Sequence, residues 1–200
     1  MLTIVINAGG ESRRMGENKA LKRFAGQMLI DRMVNRLRPL AQELLITTNQ
    51  PELFDFIELA LVPDLVSGKG ALGGLYTAIA SAHQPLVGVV ACDMPFINAR
   101  LLGAERDLLV SKGADVVIPR SPTGLEPLHA IYRKETCLPP IRAALESNAL
   151  RVVGWFPAVK VVEMSPAEIA KYDPDFRSFI NVNTPEEFRQ AELLESESYR

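Results

Sequence analysis

The spacing of apolar positions changes period along the chain in a regular way. Residues 2–6 (Leu-Thr-Ile-Val-Ile), 44–48 (Leu-Leu-Ile-Thr-Thr) and 85–91 (Pro-Leu-Val-Gly-Val-Val-Ala) are short apolar runs without alternation, as expected of strands buried on both faces of a parallel sheet. Within residues 26–37, Leu29/Ile30, Met33/Val34 and Leu37 fall at i, i+4 and i+8, forming the apolar stripe of an amphipathic helix. Residues 52–59, a segment running to about Ala82, and residues 98–111 read as further helices, and residues 114–119 as the next strand. This alternation predicts an α/β fold: three layers around a mostly parallel central sheet, doubly wound with right-handed crossovers.

After Pro119 the rhythm breaks. Residues 120–124 are rich in turn formers, and residues 125–132 read as a strand whose internal Pro127 implies an edge or irregular position. A helix over 139–147, an apolar connection over 152–157 and an alternating strand over 159–163 follow. Ser165-Pro166-Ala167-Glu168 and Thr184-Pro185-Glu186-Glu187 are capping boxes that start helices. Residues 1–194 are expected to form a single domain, with residues 195–200 a frayed tail.

Composition narrows the function classes. With 22 Lys and Arg against 24 Asp and Glu, a net charge of −2 leaves no electrostatic footprint for nucleic acid or an anionic membrane, so phosphate binding must be local. Cys92 and Cys137 form no C-x-x-C pair, and His83 and His129 add no metal-ligand spacing. Cys92 reads as a small buried hydrophobe and His129 as a packing or pocket residue. No apolar run approaches about 18 residues, and no basic leader opens the chain, so a reducing cytoplasm is the expected compartment.

Local phosphate chemistry appears where the first strand ends. Gly9 and Gly10 allow backbone N–H groups to approach an anion, and Arg13, Arg14 and Lys19 follow closely. The competing interpretation is a strand-to-helix turn with a solvated basic rim. A Walker loop is excluded because Gly16 precedes Glu17 and Gly68-Lys69 precedes Gly70; adjacent Gly9 and Gly10 also exclude the dinucleotide G-x-G-x-x-G pattern. Gly68, Gly70, Gly73 and Gly74 mark either a turn or backbone approaching a ligand. Asp93, at the carboxyl tip of the most apolar run, stands where Mg²⁺ carrying triphosphate oxygens would sit; its alternative role is to cap the next helix.

Ala8-Gly9-Gly10-x-Ser12-x-Arg14-Met15-Gly16-x-x-Lys19 resembles the signature of nucleotidyltransferases with a glycosyltransferase-A-like, Rossmann-like fold. With Cys92-Asp93-Met94-Pro95 and Asn181-Val182-Asn183-Thr184-Pro185-Glu186-Glu187, the chain most resembles the molybdenum cofactor guanylyltransferases, loosely only over residues 119–165. The resemblance implies transfer of GMP from GTP to the terminal phosphate of molybdopterin or the molybdenum cofactor, releasing pyrophosphate. It implies catalytic roles for Arg14, Lys19 and Asp93. Mg²⁺ would be held by Asp93 and Asn183, with Asn181 as the second choice. Asp64, Gly70, Gly73 and Gly74 match the segment that contacts base and ribose. The nucleotide is expected against Asn7, Ala8, Gly9, Gly10, Lys19 and Asp93, with Asn49 entering from the second strand end. Asn7 replaces the family's usual aliphatic residue, and Asn18 its usual aspartate. The acceptor pocket would lie in the loosely matched region, and proteins that deliver or receive the cofactor are implied partners. A CTP-dependent or sugar-phosphate nucleotidyltransferase of the same fold, and a non-catalytic nucleotide sensor, remain the alternatives.

Lys19→Ala is expected to reduce nucleotidyl transfer far more than Arg13→Ala, because Arg13 falls off the signature. Steady-state pyrophosphate release by the two variants checks this, and equal losses would mean that the cluster acts as a diffuse field.

Overall fold

Leu2, Thr3, Ile4, Val5 and Ile6 are fully buried, which makes β1 (Leu2–Asn7) the axis of the molecule. The structure, a computed structural model, describes residues 1–9 and 19–197. A 3₁₀ turn at Lys19–Leu21 leads into a hairpin of β2 (Arg23–Phe24) and β3 (Gln27–Met28), closed by Ala25 and Gly26 at positive φ of 48° and 84°. The helix expected over residues 26–37 is shortened by this hairpin to α1 (Leu29–Leu37).

Next come β4 (Glu43–Thr47) and β5 (Ala60–Val62). The helix expected over 52–59 is reduced to a 3₁₀ turn at Pro51–Phe54, because Ala60 to Val62 join the ladder beside β4 and leave too short a crossover. The chain continues through α2 (Gly70–Ser81), β6 (Leu86–Ala91), α3 (Ala99–Lys112) and β7 (Val116–Ser121). Asn98 caps α3 by accepting from the backbone N–H of Arg100 at 2.9 Å, and Gly113 ends that helix in the left-handed region. The remaining elements are β8 (Gly124–Leu125), β9 (His129–Arg133), α4 (Lys134–Glu146), β10 (Val161–Met164), α5 (Pro166–Ile169) and α6 (Pro185–Glu197).

Strand order is β10-β7-β9-β6-β1-β4-β5, with β8 beside β7. Along that path only β9 runs antiparallel to its neighbours β6 and β7. The strand expected at an edge or irregular position because of Pro127 therefore lies inside the sheet. It starts at His129, beyond the proline, and the Pro127 carbonyl instead accepts from the Tyr132 hydroxyl at 2.6 Å. Side-chain alternation along β1 divides the core: Leu2, Ile4 and Ile6 pack with α1, α3 and α6, while Val5 packs with α2 and α4 on the opposite face.

The C-terminal helix runs through Glu197, past the point where fraying was expected. Glu195 is buried at 6% exposure, and its Oε1 accepts from the Arg32 guanidinium at 2.6 Å. At the other end of α6, Glu187 Oε2 accepts from the N–H groups of Asn183 and Thr184 at 2.7 and 2.9 Å, completing the second capping box. Among the described residues no helix is long and apolar enough to cross a membrane.

Phe24, fully buried on β2, meets the ring edges of Phe96 and Phe188 at centroid distances of 5.7 and 5.6 Å. Phe24→Ala is expected to cost about 3–5 kcal/mol of stability through lost burial and a residual cavity, measured by urea denaturation.

Candidate active site

Parallel register brings Asn7, Thr47, Val62 and Ala91 into one row across β1, β4, β5 and β6. Two residues beyond that row, along the four segments, stand Gly9, Asn49, Asp64 and Asp93. The chain leaves β1 for β4 and β5 on one side and returns to β6 on the other. The crest beside β1 is therefore the topological switch point where open α/β sheets place a ligand. A cleft of about 690 Å³ opens there, walled by these four residues together with Asn7, Ala8, Lys19 and the start of α2.

The floor is set by close backbone approach. Asn7 Oδ1 accepts from the Gly9 N–H at 3.2 Å and from the Thr47 hydroxyl at 3.3 Å, holding the strand end in place. A Cβ at Gly74 would stand 2.8 Å from Asn7 Nδ2, so α2 reaches the cleft only because position 74 has no side chain. Gly70 has φ of 57° and lines the cleft at the start of the helix. Gly73, expected at the nucleotide, is instead buried beneath the wall, where a Cβ would lie 2.9 Å from Lys69 Cβ and 3.2 Å from the Val66 carbonyl. The glycines expected to form a turn thus partly form the first turns of α2.

Asn49 and Asp64 lock together reciprocally: Asn49 Nδ2 donates to Asp64 Oδ2 at 2.7 Å, and the Asp64 N–H donates to Asn49 Oδ1 at 2.9 Å. Asp64 Oδ1 is left buried and without a hydrogen-bond partner among the described residues. It is an unsatisfied acceptor set into the cleft wall.

At the other end of the cleft three distant parts of the sequence converge. Lys19 Nζ donates to Asn183 Oδ1 at 2.6 Å and lies 3.8 Å from Asp93 Oδ2. Asp93 Oδ1 is buried without a hydrogen-bond partner among the described residues. Burial raises the Asp93 carboxyl above the ordinary 3.8, while the Lys19 charge pulls it down and nearby Glu187 adds to the rise. Asn181 instead donates to the Phe179 carbonyl at 3.3 Å, leaving Asn183 as the asparagine beside Asp93. A carboxylate and an amide oxygen already facing an ammonium suit a divalent cation. Two protein oxygens also leave room for the water and phosphate oxygens that Mg²⁺ prefers.

Cys92, expected to be a buried hydrophobe, is only half-buried and lines the cleft; burial of its thiol, followed by the nearby Asp93 charge, pushes it up to about 12, which disfavours a thiolate nucleophile. His129 is fully buried, with Nδ1 3.1 Å from Glu105 Oε1 and its ring against Phe179, so it packs behind the cleft rather than entering it. Gly10 and Arg14, both expected at the phosphates, lie outside the described residues, as does Arg13. Lys69 and Leu128 line the cleft without having been singled out as ligand residues. Lys69 was read only as part of a failed Walker pattern, although a cation between two glycines was the available signal.

The MobA-like NTP transferase domain family model matches residues 4–155. A probable molybdenum cofactor guanylyltransferase of Pelotomaculum thermopropionicum is 36% identical, covering 98% of this chain and 94% of its own length. A molybdenum cofactor guanylyltransferase of Desulfosudis oleivorans is 32% identical, with 96% and 94% covered. The crystal structure of molybdopterin-guanine dinucleotide biosynthesis protein A from Archaeoglobus fulgidus superposes with a TM-score of 0.85 at 25% identity, covering 98% of this chain and all of that one.

Asp93→Asn is expected to stabilise the protein at pH 7. With its folded-state pKa raised, Asp93 carries no charge penalty below pH 3.8, where folded and unfolded forms are both protonated; stability is lost as pH rises through the folded value. Urea denaturation should show a more stable variant at pH 7 and convergence near pH 3. A variant less stable at pH 7 would mean that attraction to Lys19 outweighs burial.

Proposed function

Because the chain belongs to the family of MobA-like NTP transferase domains, we propose that it transfers GMP from GTP to the terminal phosphate of molybdopterin or the molybdenum cofactor. An acceptor phosphate oxygen attacks the α-phosphorus, the bond from that phosphorus to the bridging oxygen breaks, and pyrophosphate leaves with the electron pair. The observation that carries this reading is the convergence of Lys19, Asp93 and Asn183 at the switch point. Proteins that deliver or receive the cofactor are the partners it implies.

A phosphate nucleophile is already ionised near pH 7, so alignment and charge neutralisation dominate the barrier and no general base is needed. Lys19 is placed beside Asp93 to meet phosphate oxygens, and it would exchange Asn183 for them when nucleotide enters. Arg14 is the second cation of the reading. Mg²⁺ held by Asp93 and Asn183 would neutralise triphosphate charge.

Base choice follows from Asp64. Its buried Oδ1, without a partner among the described residues, is an acceptor, and guanine offers adjacent N1–H and N2–H donors. A base lacking that pair of donors leaves the carboxylate underpaired in a buried position, which supports discrimination against ATP and CTP.

With molybdopterin as acceptor, pyrophosphate release across the four ribonucleoside triphosphates is expected to favour GTP by about 10² or more. Faster release with CTP would replace this reading with a cytidylyltransferase. Nucleotide binding without release from any triphosphate would point to the sensor.

A further inference from the structure

We propose that Arg32 and Glu195 are positioning residues that aim Asp93 at its cation, an inference that rests on the nucleotidyltransferase reading. Arg32 lies on α1 at 9% exposure. Its Nε donates to the Pro95 carbonyl at 2.8 Å, and its terminal nitrogen donates to Glu195 Oε1 at 2.6 Å. Pro95 is two residues from Asp93. The same turn is held at Asp93 itself, whose carbonyl accepts from the Val182 N–H at 2.9 Å, and at Ile97, whose carbonyl accepts from Arg36 at 3.4 Å.

Helix α6 closes this arrangement from both ends. Its N-terminal Glu187 fixes the backbone of Asn183, and its C-terminal Glu195 fixes the guanidinium that grips the Asp93 turn. One helix therefore braces both proposed cation ligands through separate paths. The Arg32 guanidinium also lies 5.1 Å from the centroid of the Phe24 ring, which packs on Phe96 of the same turn and Phe188 of α6.

Such a pair is a poor source of stability. Burying two charges carries a desolvation cost that their attraction only roughly balances, and apolar replacements of similar volume are often neutral or stabilising. The guanidinium supplies direction instead: a rigid fork bonds a carbonyl and a carboxylate at fixed angles, and a single ammonium cannot reproduce that geometry.

The test measures Mn²⁺ binding by electron paramagnetic resonance in the presence of GTP. It is combined with the kcat and KM of transfer and with thermal unfolding, for Arg32→Met, Arg32→Lys and Glu195→Gln. Outer residues that orient a metal ligand typically change affinity by 10- to 100-fold. Arg32→Met is expected to weaken Mn²⁺ binding about tenfold and lower kcat in parallel, leaving metal-free GTP affinity unchanged. Arg32→Lys, which can keep one of the two bonds, and Glu195→Gln, which keeps an amide oxygen as acceptor but loses the charge, should fall between it and the parent and remain folded if Arg32→Met does not. Parental Mn²⁺ affinity and kcat in the folded variants, whatever their melting temperature, would overturn the inference. Asp93→Asn separates the two levels: if it too binds Mn²⁺ with GTP like the parent, the cation reading fails. If it alone loses the ion, only the positioning role fails.

Discussion

Strand register across β1, β4, β5 and β6 is the constraint on which the rest of the structure depends. Asn7, Thr47, Val62 and Ala91 share a row, so the next residues of four separate segments leave the sheet together. A slip of one residue in any strand would turn its side chains to the opposite face and change the height at which its loop departs. Burial on both faces opposes such a slip, because Ile4 and Ile6 occupy one core while Val5 occupies the other. Packing therefore fixes the register, and the register fixes the spacing between Asp64 and Asp93 across the cleft.

Lys19 and Arg32, two of the cations around the Asp93 turn, behave differently because of where they lie. Lys19 borders the cleft, with a side chain 16% exposed, and bonds an amide oxygen that an incoming phosphate can displace. Arg32 is enclosed, and both bonds of its fork go to groups that do not move into the cleft. An ammonium on a flexible stem suits exchange, whereas a planar guanidinium suits a fixed angle. The raised Asp93 carboxyl is the counterpart of this design, since a charge held out of water for use by a ligand disfavours the empty fold.

Legibility in the sequence followed the range of the interactions. β1 and β6 were readable because apolar runs are local signals, and α3 matched the helix read over residues 98–111. Both capping boxes were readable for the same reason. The insertion of β9 between β6 and β7 was not, because Pro127 was assigned to a strand that begins two residues later. Nor was the shortening of the 52–59 segment, which depends on β5 pairing with β4. Asp93 stood out as a charge at the end of an apolar run, whereas Glu195 looked like part of a polar tail. Its burial depends on Arg32, 163 positions away, and no local pattern records that contact.

In the proposed reaction the two substrates would meet different parts of the chain, and this bears on how selectivity can vary. The base side is built from β1, β4, β5 and the start of α2, whose loops are locked to one another through Asn7, Asn49 and Asp64. Leu128, carried by the antiparallel insertion, also lines the cleft, and Lys69, just before α2, donates from Nζ to Asn148 Oδ1 at 3.0 Å beyond α4. Leu128 and Asn148 both lie in residues 119–165, where the sequence resemblance is loosest. Changes there would alter that part of the cleft without disturbing the four-strand row. A change at Asn7 or Gly74 cannot be confined in that way, because the two positions are in contact and both support the floor of the cleft.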